Sequence, residues 1–284
     1  MAAGATAPPV DAVARVPARD GYPLAATVFE PAGPPRGVVV VSSAMAVTRG
    51  YYADFAAYLA ERGLRAVTYD YRGIGGSAPP QLRGFRATLT EWGEQDLAGV
   101  LAWAAEGTGA GPLFLVGHSA GGQLFGIAPG NERVRAAVTV AAQSGYWGLW
   151  PRPSRYRLGL VWLGLIPTVT ALFGYVPPWA GMRAAVPGGV AREWARWGRH
   201  PQYLIGPDPS RREAFARVGA RIRAYGAEGD FFAPPAAIDA LHAWYTRASV
   251  ERRQLGREVG HFGFFRGRFR DTLWREAADW LLEA

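Results

Sequence analysis

Four short apolar runs constrain the architecture of this chain more than any other feature. Gly37-Val38-Val39-Val40-Val41, Leu64–Tyr69, Pro112–Val116 and Val134–Ala141 lack the in-out alternation of a half-solvated strand. That pattern belongs to strands buried on both faces of a parallel sheet. Between them lie segments with helical spacing: Tyr51–Arg62 closed by Gly63, Glu91–Ala105, and Gly121–Ile127. Strand, helix, strand in succession is the βαβ unit with right-handed crossovers. The alternation resumes late, with strand Arg221–Tyr225, helix Pro235–Thr246, strand Val250–Leu255 and a terminal helix Arg268–Leu282. After an irregular start, Ala12–Ala18 and Tyr22–Phe29, joined at Arg19-Asp20-Gly21, read as an antiparallel hairpin. The prediction is an α/β protein on a doubly wound, mostly parallel sheet.

The alternation stops between Ser144 and about Val218. Six of the 11 Trp fall there, at 147, 150, 162, 179, 194 and 197. A large apolar insertion between two sheet strands predicts a helical cap, dividing the chain into core 1–143, cap 144–218 and core 219–284. Leu158–Met182 carries no charge and is long enough on paper to cross a bilayer. Gly159, Gly164, Pro167, Gly174, Pro177, Pro178 and Gly181 should break it into short helices, so the expectation is a buried or lid segment and no integral membrane span. Further on, Val190, Trp194 and Trp197 form an apolar stripe beside a basic one of Arg192, Arg196 and Arg199. The bland reading is core-facing Trp and a solvated Arg face; the sharper one makes Trp194 and Trp197 part of a substrate pocket.

Composition removes whole classes of function. With 284 residues, 49% of them hydrophobic, the chain can bury a sizeable core. Zero Cys excludes disulfides, thiolate nucleophiles and Cys-ligated metals. The four His, at 118, 200, 242 and 261, are far apart in sequence, so no metal or cofactor is expected. Net charge is +8 with no Lys at all, but the Arg residues are dispersed, which argues for solvation rather than nucleic-acid binding. The N-terminus lacks the basic and apolar regions of a secretory signal, giving a cytoplasmic expectation. Oligomeric state is not legible.

The densest chemistry sits in Pro112-Leu113-Phe114-Leu115-Val116-Gly117-His118-Ser119-Ala120-Gly121-Gly122. A buried strand runs straight into Gly-x-Ser-x-Gly and then a helix, and the glycines allow a strained turn that exposes the Ser119 hydroxyl. A serine nucleophile needs a base, and the base an orienting acid. Two downstream loops follow predicted strands and so reach the same sheet edge: Gly226-Ala227-Glu228-Gly229-Asp230-Phe231-Phe232-Ala233-Pro234 and Val259-Gly260-His261-Phe262-Gly263. His261 is the base candidate, with Asp230 and Glu228 competing for the acid. His242, three residues from Asp239, reads as a surface partner of that carboxylate. His118 is fixed beside the nucleophile with a direction that differs from that of Ser119, His200 ends a cap helix, and Asp208 reads as a solvated charge.

These residues resemble the α/β-hydrolase family over nearly the whole chain. Ser119, Asp230 and His261 follow the family's order of nucleophile, acid and histidine, and Asp70-Tyr71-Arg72-Gly73-Ile74-Gly75-Gly76-Ser77 is similar to its Asp-x-Arg-Gly-x-Gly-x-Ser turn. The Gly-His-Ser-x-Gly-Gly form and the Asp-x-x-Ala-Pro loop look like the serine aminopeptidase and monoglyceride-lipase branch. The resemblance implies an α/β-hydrolase fold with an inserted helical cap, and a Ser119-His261-Asp230 triad. It implies oxyanion donors at the Met45 and Ala120 backbone, although Ser43-Ala44 stands where the family carries His-Gly. Asp70 and Arg72 are read as structural. The expected activity is hydrolysis of an ester, thioester or related acyl bond of a hydrophobic small molecule. An acyltransferase and a non-catalytic ligand binder are the alternatives.

Overall fold

The computed structural model describes residues 11–107 and 111–284, so the irregular start expected at the N-terminus lies outside the described residues. The hairpin β1 (Asp11–Pro17) and β2 (Pro23–Phe29) is antiparallel, and β2 joins β4 (Arg65–Tyr69) antiparallel as well. From β4 onward every pairing is parallel: β3 (Val38–Ser42), β5 (Leu113–His118), β6 (Val134–Val140), β9 (Arg221–Ala227) and β10 (Ser249–Leu255). These eight strands form one sheet in the order β1-β2-β4-β3-β5-β6-β9-β10. The β-branched run of β3 is buried at every residue, as a central parallel strand requires. Outermost β10 has no fully buried residue, as befits a strand with a neighbour on one side only.

Helices cover both faces. On one, α1 (Ala53–Glu61), the π-helical segment Arg270–Trp274 and α10 (Arg275–Leu282) bring Phe55, Leu59, Trp274 and Leu281 against Val39, Val41 and Val138. On the other, a helical stretch opens with α2 (Leu89–Glu91), capped reciprocally by Thr88 and Glu91, a pairing that contributes about 1 kcal/mol. It widens to π geometry over Trp92–Leu97 and continues as α3 (Ala98–Glu106). With α4 (Ala120–Phe125) it packs Trp92, Val100 and Leu124 against Val40, Val67 and Leu115. Parallel strands put all their C-terminal ends at one edge: Ser42 lies opposite Gly117, His118 opposite Val140, and Ala227 opposite Leu255. Every loop leaving that edge shares one neighbourhood.

Between β6 and β9 the chain leaves the sheet for α5 (Ser154–Leu160), α6 (Ile166–Phe173), a two-stranded ribbon of β7 (Tyr175–Val176) and β8 (Val186–Pro187), α7 (Gly188–Gly198) and α8 (Arg211–Arg217). Here the structure corrects the sequence reading. Gly159, Gly164 and Pro167 do not break the uncharged stretch, because Ser154–Phe173 is one helix of 20 residues. A π-helical segment, Val161–Leu165, separates α5 from α6. Pro167 falls in the first turn of α6, where a missing N–H is tolerated. The break comes only at Gly174, whose φ of 82° is left-handed. Nor is the helix buried. Trp162, Ile166 and Val169 face the core, but Leu160, Leu163, Leu165 and Leu172 are exposed, Leu160 by 72%. By length and composition the helix could cross a membrane.

His242, at the end of α9 (Pro235–His242), is a second correction. It is buried rather than paired at the surface, and Asp239 binds Arg252 instead. Its Nδ1–H donates to Ile238 O at 2.7 Å, so Nε2 accepts from Thr139 Oγ1 at 2.9 Å, which needs a neutral ring. Burial pushes its pKa down to about 4. A His whose folded pKa lies below its unfolded value contributes stability that is present above pH ~6.5 and lost as pH falls toward the folded pKa. Unfolding by guanidinium is expected to lose about 2 to 3 kcal/mol between pH 7.5 and 4.5 from this residue. His242→Gln should show a correspondingly shallower pH dependence, and equal slopes in both proteins would contradict the assignment.

Candidate active site

Ser119 occupies the turn between β5 and α4 with φ 49° and ψ −113°, a backbone strain of about 1 to 3 kcal/mol for a non-glycine residue. Its N–H is held by Val140 O at 2.8 Å, and its carbonyl accepts from Gly122 and Gln123 N–H. The flanking glycines are required by contact. A Cβ on Gly121 would lie 2.2 Å from Ser42 O, and one on Gly117 would lie 2.7 Å from Gly122 Cα. The local sequence therefore folds into a sharp turn that presses the start of α4 against the end of β3.

Asp230 and His261 arrive from the loops after β9 and β10. His261 Nδ1 donates to Asp230 Oδ2 at 2.8 Å, and Asp230 Oδ1 accepts from Phe232 N–H at 2.8 Å. The Asp230 side chain is almost wholly enclosed, where a charge-assisted bond is strong. Glu228 lies on the surface, 63% exposed, and pairs with exposed Arg257. The acid loop thus turns Asp230 inward and Glu228 outward. Among the described residues Ser119 Oγ makes no hydrogen bond, so the structure brings His261 and Asp230 together and leaves the Ser119–His261 bond unformed. Such bonds are often long until substrate binds.

His118, next to Ser119 in sequence, has partners of its own that were not legible. Fully buried, it lies between Tyr52 and the His261 loop: Nε2 meets His261 O at 2.9 Å and Nδ1 meets Tyr52 Oη at 2.8 Å. A carbonyl can only accept, so Nε2 carries the proton and Tyr52 O–H donates to Nδ1. Tyr52 Oη in turn accepts from Ala44 N–H at 2.9 Å. Burial, reinforced by the neighbouring His261, holds the His118 pKa well below the usual imidazole range, which keeps this chain in one protonation state. The chain ties the loop after β3 to the loop that carries His261. Tyr52→Phe is expected to lower kcat about tenfold with little change in KM, by freeing both loops at once. A kcat within twofold of wild type would make the chain merely structural.

The remaining predicted residues divide. Neither the Met45 nor the Ala120 N–H has an acceptor among the described residues, so both are free to donate. Asp70 anchors the Met45 loop, accepting from Arg49 N–H and Gly76 N–H, and ion-pairs with the Arg49 side chain. Arg72 is buried against Asp96 and Asp20. Trp197 is corrected: it is 0% exposed and belongs to the core, packed on Tyr203 with the Arg211 guanidinium over its ring. Tyr203 reaches Gln123, which lies on α4. Trp194 is half-buried and packs edge-on against Trp162. Arg192, Arg196 and Arg199 are all exposed, the solvated stripe of the bland reading. Among the described residues no cluster of three or more His, Asp or Glu could hold a metal ion.

A strand-to-helix turn with left-handed Ser119, inside a sheet of this order, decides the fold. The chain has the α/β-hydrolase fold. The profile of the serine aminopeptidase S33 family (Hydrolase_4) matches residues 33–170, from just before β3 into the long helix. Monoglyceride lipase from Saccharomyces cerevisiae, solved as a soluble variant with a substrate analog, superposes with a TM-score of 0.72 at 13% identity, covering 97% of this chain and 94% of that one. A thermostable carboxyl esterase from Bacillus coagulans, in complex with glycerol, gives 0.64 at 14% identity, covering 95% and 97%. Paleococcus ferrophilus monoacylglycerol lipase gives 0.59 at 14% identity, covering 92% and 98%. No curated protein matches the sequence. The chain shares the sheet and the strand-turn-helix elbow of these solved structures at 13–14% sequence identity.

Proposed function

We propose that this α/β-hydrolase-fold protein is a serine hydrolase that cleaves an ester, thioester or related acyl bond through an acyl-enzyme. The observation that carries the reading is the inward Asp230–His261 pair at the same sheet edge as the strained Ser119 turn. Asp230 fixes the proton on His261 Nδ1, which leaves Nε2 as the base. Nε2 takes the proton from Ser119 Oγ as the oxygen attacks the acyl carbon, and gives it to the departing alcohol or thiol. The carbonyl oxygen turns negative and is met by the Met45 and Ala120 N–H groups, worth about 10²- to 10³-fold each in such sites. Water then repeats the sequence on the acyl-enzyme.

The segment 144–218 serves as a cap over this edge. Its entry is tied to the acid loop by Trp150 Nε1 donating to Phe231 O at 2.6 Å, and by Gln143 donating to Phe232 O at 3.0 Å. Exposed Phe231 and Phe232, with the Phe232 ring 5.1 Å from that of His261, support a substrate with an apolar part. The names of the solved relatives favour carboxylic esters over other acyl compounds. Labelling with a fluorophosphonate probe tests the reading. Modification at Ser119 supports it, and intact folded protein that is not labelled would favour a non-catalytic binder.

A further inference from the structure

The cap contributes one charged group to the rim of the proposed site. Arg183 lies between β7 and β8 and is exposed, and its guanidinium carbon sits 4.4 Å from the ring centre of Phe262 and 5.3 Å from that of Tyr51. Phe262 follows His261 directly, with its ring 4.9 Å from the imidazole. Tyr51 is fixed to the same loop, its hydroxyl donating to Phe262 O at 2.5 Å. The cation therefore rests on two aromatic faces that are part of the His261 loop or bonded to it. Among the described residues no carboxylate lies within ion-pairing distance of it, and its N–H groups make no hydrogen bond. An unpaired Arg is ordinary on a surface carrying +8. A stacked one beside the proposed base is not, because stacking holds the guanidinium plane while leaving its edge donors free. The chain around it supplies no carboxylate either, since no Asp or Glu occurs between Glu132 and Glu193.

We propose that Arg183 anchors an anionic oxygen group of the substrate, a carboxylate or phosphate set a short chain away from the scissile carbonyl, so that the favoured substrate is a negatively charged acyl ester or thioester with an apolar spacer. The spacer would run past Phe232 and Phe262 toward the guanidinium. The assignment rests on the serine hydrolase reading for its chemistry, but the binding can be read separately.

The test compares p-nitrophenyl monoesters of succinic, adipic and suberic acid with the butanoate, hexanoate and octanoate esters. In wild type, kcat/KM should favour the anionic member of at least one pair. In Arg183→Gln the anionic-to-neutral ratio for that pair should fall about 10- to 100-fold, the range of a charged hydrogen bond. Rising salt should shrink the wild-type preference. Arg212→Gln, which removes an exposed Arg on α8, controls for net charge and should leave the ratio in place. Monophosphate esters of matched length distinguish a phosphate from a carboxylate as the preferred anion. An equal fall for both members of each pair would overturn the anchor and make Arg183 a positioning residue for the His261 loop. If wild type cleaves no ester, calorimetry of adipate monoamide with Ser119→Ala decides: binding that vanishes in Ser119→Ala/Arg183→Gln upholds the anchor while the hydrolase reading fails, and binding that is absent or unaffected overturns it.

Discussion

Ser119→Ala is expected to lower kcat for any ester substrate by about 10⁴-fold or more while leaving unfolding free energy within about 0.5 kcal/mol of wild type. The two halves of that expectation have separate causes. The hydroxyl makes no hydrogen bond among the described residues, so its removal leaves no buried partner unsatisfied. Alanine also inherits the same left-handed backbone, which is held from outside by Val140 O and by the Gly117–Gly122 contact. The rate falls because the nucleophile itself is gone, and water at the turn would lack its positioning. His261→Ala should be comparably damaging. Steady-state kinetics on p-nitrophenyl esters, with circular dichroism on the same samples, reads both halves. Residual activity above a few per cent in folded Ser119→Ala would remove the nucleophile assignment.

Asp230→Asn should cost about 10⁴-fold in kcat with the fold retained, whereas Glu228→Gln should stay within a few-fold. The amide introduced by the first substitution would offer its N–H₂ or its oxygen to His261 Nδ1, favouring the wrong tautomer in one orientation and leaving the imidazolium uncompensated in both. Glu228 can do nothing comparable, since it is 63% exposed and its partner Arg257 is a surface side chain. A surface pair of this kind contributes roughly 0 to 1 kcal/mol. The reverse ranking of the two variants would move the acid to Glu228 and require the loop after β9 to turn over.

Much of this protein was legible without coordinates because its strongest signals are local. A run such as Val38–Val41 has no polar residue to offer solvent and must be a doubly buried strand. A strand that ends in Gly-His-Ser-Ala-Gly must turn sharply, since only glycine fits beside Ser42 and Gly122. The choice between Asp230 and Glu228 was not local. The two carboxylates are two residues apart in one loop, and only the path of that loop against His261 turns one inward and the other out. The same holds for His242, whose spacing from Asp239 suited a surface pair until α9 packed it against Thr139. The long cap helix survived its glycines and Pro167 because a π-helical turn and a first-turn position absorb them, a matter of register that composition cannot express. Trp197 and the exposed leucines make the final contrast. Periodicity separates an apolar stripe from a polar one, but it does not say which apolar surface meets the core and which meets solvent. That is decided by where the inserted helices dock, through contacts such as Tyr203 with Gln123 and Glu193 with Thr90, between residues far apart in the chain.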